Sequence, residues 1–567
     1  MKHFCRWFPA ERTAFVASVA GLPPADRDRY VSSLLTRLMF LHFLGEQGPL
    51  LGSHDSDLYH RTVLPLVHAR PGLAPHPLEL MSPSIRIPDE AFQRLFAVFA
   101  RYSWVTDEQA PRAADALTPD LLGRILEQHT DRQRTGTYFT APDVTGYIAR
   151  GTVVPFLLGR VMTRCPDAFA PNGLVRRLLR EDPDRYLFET VRRGATLPLP
   201  EDVRSGADRD RPALSAHALP AESWREHLAR RNRCRALHRR LRGEGLLTIN
   251  DLLTSNIDLV QLTVDLLRRG DAALTRAFWQ ALRELSVLDP ACGSGEFLFA
   301  ALRVLEPLYD VALRRMEDFS EVAEFRTVLD DAGPARRAFV RRSILERNLH
   351  GVDLMPEAVE VCRLRLLLAL VAVMPDAGMS AALPDLGTCL RCGNSLVGSV
   401  ASGNEIEPGA PGSFHWSAEF PRVMGRGGFD VIIGNPPYLE NRAVRGQYSV
   451  RGFRTERCGN LFAPFWERCL DLARPSGRVG LIVPVAAICT DDYAPLQELL
   501  RLSGTSVVSN FSDRPSRLFP GLEHGRLCII LHEKRHQPGR TFSTGFNRWR
   551  AVERPHLFER LSFVETT

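Results

Sequence analysis

An asparagine followed by two prolines and a tyrosine, Asn435-Pro436-Pro437-Tyr438, closes the apolar run Phe429 to Gly434 (FDVIIG). Consecutive prolines fix an extended backbone, so the Asn435 amide oxygen and the Pro436 carbonyl can be aimed rigidly at one point. Two acceptors converging on an exocyclic NH2 raise the electron density on its nitrogen and orient its lone pair. Tyr438 then offers a ring on which a planar base can stack. Upstream, Val287-Leu288-Asp289-Pro290-Ala291-Cys292-Gly293-Ser294-Gly295 ends an apolar strand in an acid and a glycine-bearing turn that opens a helix from Glu296. Glycine lets the backbone approach a ligand across strand ends. The turn lacks the third glycine of the dinucleotide fingerprint and has no lysine, so a ligand without phosphates fits better. S-adenosylmethionine is the natural candidate, its amino-acid end meeting Asp289 and backbone amides. The same turn can also connect strand to helix with no ligand. Between these motifs lies His350-Gly351-Val352-Asp353-Leu354-Met355-Pro356-Glu357-Ala358. Asp353 at a strand end can accept from both ribose hydroxyls, or simply cap the helix that starts at Pro356.

These residues need a scaffold that lines up strand ends. From Ser286 onward, short apolar runs (SVLDP, LHGVDL, FDVIIGNPP, RVGLIVP, TSVVSNF, RLCIILHE) alternate with helical stretches, the pattern of an α/β fold with a mostly parallel sheet covered by helices. The 567 residues predict about two to four units. The boundaries read as a helical N-terminal domain over 1–130, a helical region over 131–285, a catalytic domain over 286–535 and a tail over 536–567. Tyr30 to Leu44 has apolar residues recurring at three and four, the spacing of a helix, and Ala401 to Phe414 reads as a flexible loop.

Composition removes several chemistries. With 44% hydrophobic and 24% charged residues the chain can pack a core. Lysine occurs only at Lys2 and Lys534, which excludes a phosphate loop, a Schiff-base enzyme and a nuclease core ending in lysine from the middle of the chain. The net charge of +6 is a mild bias that a polyanion can use. The arginine run Arg230 to Arg242 (RRNRCRALHRRLR) is expected to touch DNA. Eleven cysteines without paired spacing, and an N-terminus unlike a signal peptide, point to a reducing, cytoplasmic location. Cys389 and Cys392 form a lone CxxC, so no metal site is expected. No apolar run reaches the roughly 18 residues of a membrane span.

DPACGSG, GVDLMPEAV and GNPPY in that order resemble the amino-methyltransferases of the gamma arrangement, most closely the adenine-N6 DNA methylases of type IIG restriction-modification systems. The resemblance implies a Rossmann-like S-adenosylmethionine-dependent methyltransferase sheet with a large helical N-terminal region. Arg134 to Pro142 (RTGTYFTAP) is similar to the family's cofactor-covering motif, which would close Tyr138 and Thr140 over the cofactor. Pro290, Ala291, Gly293, Gly295 and Leu354 fall in its cofactor motifs, and Asn394 in Cys392-Gly393-Asn394-Ser395-Leu396 matches the position that meets the cofactor's adenine. Asn460 to Ala463 and Leu481 to Pro484 are similar to segments shaping the target pocket, and Leu518-Phe519-Pro520-Gly521 to the motif whose ring packs on the base opposite Tyr438. The implied reaction flips adenine out of double-stranded DNA and methylates N6, without a metal or a covalent intermediate. The same Asn-Pro-Pro-Tyr serves enzymes that methylate ribosomal RNA bases or protein glutamine amides, and a non-catalytic DNA-binding or scaffold subunit of a defence complex is a further alternative. Family members carry a large recognition region after the catalytic sheet, and here 48 residues follow Phe519. Either a partner subunit supplies target recognition, which is the expectation here, or the chain is a truncated or split member.

Overall fold

The computed structural model describes residues 2–43, 85–106, 116–129, 140–206, 209–243, 248–374, 383–400, 414–519 and 525–566. Apart from a two-residue parallel pairing of Ser103–Trp104 with Ala116–Leu117, the strands in chain order are β1 (Val287–Asp289), β2 (Leu349–Asp353), β3 (Leu390–Cys392), β4 (Phe429–Gly434), β5 (Ala473–Pro484), β6 (Gly504–Phe511), β7 (Leu527–Lys534), β8 (Thr541–Asn547) and β9 (Val564–Thr566). Their residues fall into two compact units.

The second unit comprises Gly136–Pro290, Ala300–Asp331 and Ser395–Thr567. Its strands run in the order β9-β8-β6-β7-β5-β4-β1. β1, β4 and β5 are parallel, and β7 runs antiparallel between β5 and β6. Every residue of β4 and β6 is buried, as in a sheet covered on both faces, and the polar Ser506, Ser509 and Asn510 of β6 find hydrogen-bond partners there. The carboxyl ends of β1, β4, β5 and β6 thus share one edge of the sheet, where open α/β folds bind their ligands. The helix Pro142–Arg164 lies against this sheet, with Val153, Val154, Leu157 and Leu158 fully buried. β8 pairs in parallel beside β6, so the sheet continues past residue 535.

The first unit comprises Met1–Thr135, Ala291–Phe299 and Ala332–Asn394, with β2 and β3 paired in parallel. Its helices Pro24–Phe43 and Pro356–Val371 are joined by Arg37 to Glu360 at 2.5 Å and by Ser33 to Glu360 at 2.6 Å. Within it Arg365 is 1% exposed and meets Asp120 at 2.9 Å, Glu296 at 2.8 Å and the Ser294 carbonyl at 2.6 Å. Of the loop read over Ala401 to Phe414, residues 401–413 lie outside the described residues.

The arginine run on the helix Trp224–Arg242 is partly structural, which corrects the expectation for two of its members. Arg230 is buried, paired with Glu222 at 2.7 Å and bonded to the carbonyls of Arg193 and His217. Arg233 donates to the carbonyls of Arg560 and Leu561. Guanidinium forks that satisfy loop carbonyls inside the fold are spent there and cannot grip phosphates.

Candidate functional site

In the second unit the asparagine motif leaves β4 at the shared carboxyl edge. The Asn435 side-chain NH2 donates to Thr140 Oγ1 at 3.2 Å, which fixes which end of the amide is the acceptor. Pro436 is buried and Pro437 half-buried. The Tyr438 hydroxyl donates to the Ile482 carbonyl at 2.9 Å, and its ring meets Phe462 edge-on at 6.3 Å. Phe462 in turn stacks on Tyr493 at 5.0 Å. The Asn460 to Ala463 and Leu481 to Pro484 segments therefore flank Tyr438. Phe519 is 1% exposed at the end of the stretch that follows β6, so its ring sits in packed surroundings in this conformation.

Asp289 at the end of β1 is fully buried. A Cβ added to Gly434 would stand 2.9 Å from Asp289 Oδ1, so the residue before Asn435 has no room for a side chain. Burial, and after it the Asp289 carboxylate, push the Cys469 thiol well above the usual thiol range. Pro290 accepts from the Ser395 hydroxyl at 2.6 Å. Gly434→Ala is expected to displace the Asp289 carboxylate, costing about 1–3 kcal/mol as overpacking does. Urea unfolding measures that cost, and titration with S-adenosylmethionine reports on the carboxylate.

In the first unit the glycine turn is held by Asp353. Gly293 N–H donates to Asp353 Oδ2 at 2.9 Å and Met355 N–H to Oδ1 at 2.9 Å. Burial raises the Asp353 carboxyl above the ordinary range against these two amides. Asp353 thus leads into the helix Pro356–Val371 and braces the turn at once. The turn is further tied by Cys292 N–H to the Val352 carbonyl at 2.9 Å, and Gly393 N–H donates to the Asp353 carbonyl at 2.9 Å, next to Asn394. Gly293 and Gly295 have left-handed φ of +51° and +96°, which favours glycine. A Cβ at Gly295 would strike Cys362 Sγ at 2.7 Å, whereas Gly293 opens onto empty space. Ala291 is half-buried and Leu354 is 56% exposed at the strand end. Tyr138 lies outside the described residues.

Sequence reasoning missed Arg554. Its guanidinium pairs with Asp143 at 2.6 and 3.1 Å and donates to the carbonyls of Arg517 and Leu518 at 2.8 and 3.0 Å. It ties the helix beginning just after Thr140 to the stretch bearing Phe519. With 411 positions between Arg554 and Asp143, no local signal could have found the pair.

Residues 347–514 match the family described as Eco57I restriction-modification methylase. The chain is 32% identical over 159 residues to RM.MjaORFECS2P of Methanocaldococcus jannaschii, covering 27% of this chain and 12% of that protein. It is 27% identical over 218 residues to the adenine-specific methyltransferase PglX of Streptomyces coelicolor, covering 34% and 15%. To the type II restriction enzyme and methyltransferase RM.Eco57I of Escherichia coli it is 26% identical over 227 residues, covering 37% and 21%. These relatives are all named as methyltransferases, two of them also as type II restriction enzymes, and the chain spans between 12% and 21% of the length of the three.

Proposed function

We propose that the protein transfers a methyl group from S-adenosylmethionine to N6 of an adenine turned out of double-stranded DNA, in a restriction-modification or defence system. The observation that carries the reading is Asn435. It sits at the end of a fully buried strand, its amide oriented by Thr140 and its neighbour Tyr438 pinned through Ile482.

The residues fit the cofactor. Gly293 opens onto empty space, and Gly434 leaves clearance for the Asp289 carboxylate. Asp289 would hold the amino-acid end, with Pro290, Ala291, Gly293 and Gly295 giving a backbone surface for it. In the first unit Asp353 and the exposed Leu354 would meet the ribose and an adenine face, with Asn394 on the adenine edge; Thr140 and Tyr138 are proposed as cofactor contacts from the motif they belong to. When bound, the cofactor supplies an electrophilic methyl on a sulfonium.

The chain's own residues do the rest by positioning. Tyr438 stacks on the flipped base, opposite Phe519. Asn435 Oδ1 and the Pro436 carbonyl accept hydrogen bonds from the two N6–H groups, which turns the nitrogen lone pair toward the methyl, and Pro437 keeps the loop from relaxing. The N–C bond forms as the S–C bond breaks, and the surplus N6 proton leaves to solvent. No described helix is long and apolar enough to cross a membrane. A partner subunit that chooses the target sequence is proposed with this chemistry. Full-rate methylation of one defined sequence by the isolated chain would remove the partner and leave the reaction standing.

Sequencing that reads N6-methyladenine, on DNA from cells with and without the gene, tests the reading. One defined motif is expected to be modified only when the gene is present, and identical methylation in both overturns it.

A further inference from the structure

A cleft of 930 Å³ opens beside the proposed base pocket, bounded by Pro484 and Ala486 after β5 and by residues 512–515 after β6. Arg514, Arg526 and Arg548 line it, and Asp513 is its one lining carboxylate. Arg526 is held 3.5 Å from Asp513 and over the Phe546 ring at 5.8 Å, so it is steered without being buried. Among the described residues no carboxylate pairs with Arg514 or Arg548 within 4 Å, and both are exposed. Pro484, Val485 and Ala486 add an apolar part to the lining.

A second cleft of 740 Å³ in the same unit shows the contrast. It is lined by four arginines, but Arg160 pairs with Glu284 at 3.3 Å and Arg474 with Asp430 at 3.1 Å, while Arg478 and Arg535 share Glu533 at 3.5 and 3.0 Å. Its charges are largely spent on the protein's own acids. In the first cleft only Arg526 is so paired, and this cleft lies at the carboxyl edge of the sheet. Its Pro484 is two residues beyond the carbonyl that anchors Tyr438, and its 512–515 wall runs on to Phe519.

We infer that Arg514, Arg526 and Arg548 bind phosphodiesters of the DNA strand that carries the flipped adenine. The inference rests on the reading above and adds the residues that hold the backbone. Planar guanidinium forks suit phosphate oxygens, and a nucleotide swung out by rotation about its backbone needs the flanking phosphates fixed while the base moves. The arginines then act on DNA binding and not on cofactor binding.

The test uses the full chain, a fluorescent duplex DNA of mixed sequence and a salt titration of its affinity. Each phosphate contact contributes about 0.9 to the slope of log K against log salt. The double variant Arg514→Gln/Arg548→Gln is expected to lower the slope by about 1.8, with S-adenosylmethionine affinity unchanged within about twofold. Arg535→Gln, in the other cleft, is expected to leave the slope as it is. A wild-type slope retained by the double variant, in a chain that binds duplex and cofactor normally, overturns this inference alone. A wild-type chain that binds neither duplex nor S-adenosylmethionine overturns it together with the function it rests on. Tighter binding of an RNA duplex than of DNA, lost with the same two arginines, overturns the DNA assignment while keeping the phosphate chemistry.

Discussion

Asn435→Ala is expected to lower methyl transfer by about a thousandfold, the scale on which loss of one preorganised hydrogen-bonding group at a reacting centre is felt. The substitution removes the acceptor that orients N6, and it also removes the donor that meets Thr140. The second loss is a single hydrogen bond of about 1 kcal/mol, too little to unfold the unit. S-adenosylmethionine binding is expected to stay within about threefold of the parent and duplex binding to be kept. Single-turnover rates with titrations of both ligands make the distinction. A variant that folds, binds both and still methylates at the parent rate would place the chemistry elsewhere. A function unaffected by the change would favour a scaffold role.

Arg365→Leu should be the most damaging single change to the first unit. The guanidinium is 1% exposed between Asp120 and Glu296, and it caps the Ser294 carbonyl of the glycine turn. Burial opposes its charge, yet the Glu296 and Asp120 carboxylates hold its pKa above the ordinary arginine value. Removing one partner from a buried ionic cluster leaves its counter-charges uncompensated and costs about 3–5 kcal/mol. Urea unfolding of the full chain should show an early transition, with the remaining transition little moved. Arg365→Lys should recover only part of the loss, because one ammonium cannot meet three acceptors in the plane of a fork. If the leucine variant unfolded at the parent midpoint, the cluster would contribute nothing net.

The parts of the fold that are legible in the sequence are those where local pattern and tertiary demand coincide. All six runs from SVLDP to RLCIILHE are strands, because strands buried on both faces draw mostly apolar residues, with buried polar ones such as Ser509 and His532 hydrogen-bonded. β3 has only three residues with Arg391 at its centre, and β8 (TFSTGFN) is mostly polar near the sheet edge, so neither announces itself. That is why the boundary at 535 cuts the sheet short of β8. The site divides in the same way. Asn435, Pro436, Pro437 and Tyr438 are neighbours in the chain and can be read together. The Thr140 contact spans 295 positions and the Arg554 clamp 411, and such pairs exist only once the chain has folded. Arg230 and Arg233 failed as DNA contacts for a related reason: a run of arginines shows charge but not which carbonyls and acids the fold brings to it. Arg365 did leave a trace, a cation within the apolar run of the helix Pro356–Val371.

The most direct measurement follows the methyl group itself. The protein purified from its own cells, with whatever accompanies it, is given duplex DNA and S-adenosylmethionine bearing a trideuterated methyl, and the DNA is digested to nucleosides for mass spectrometry. The predicted result is label on N6 of deoxyadenosine with the parent protein and about a thousandfold slower labelling with Asn435→Ala. Label on cytosine, on RNA or on protein, or equal label on deoxyadenosine from both proteins, would contradict the account.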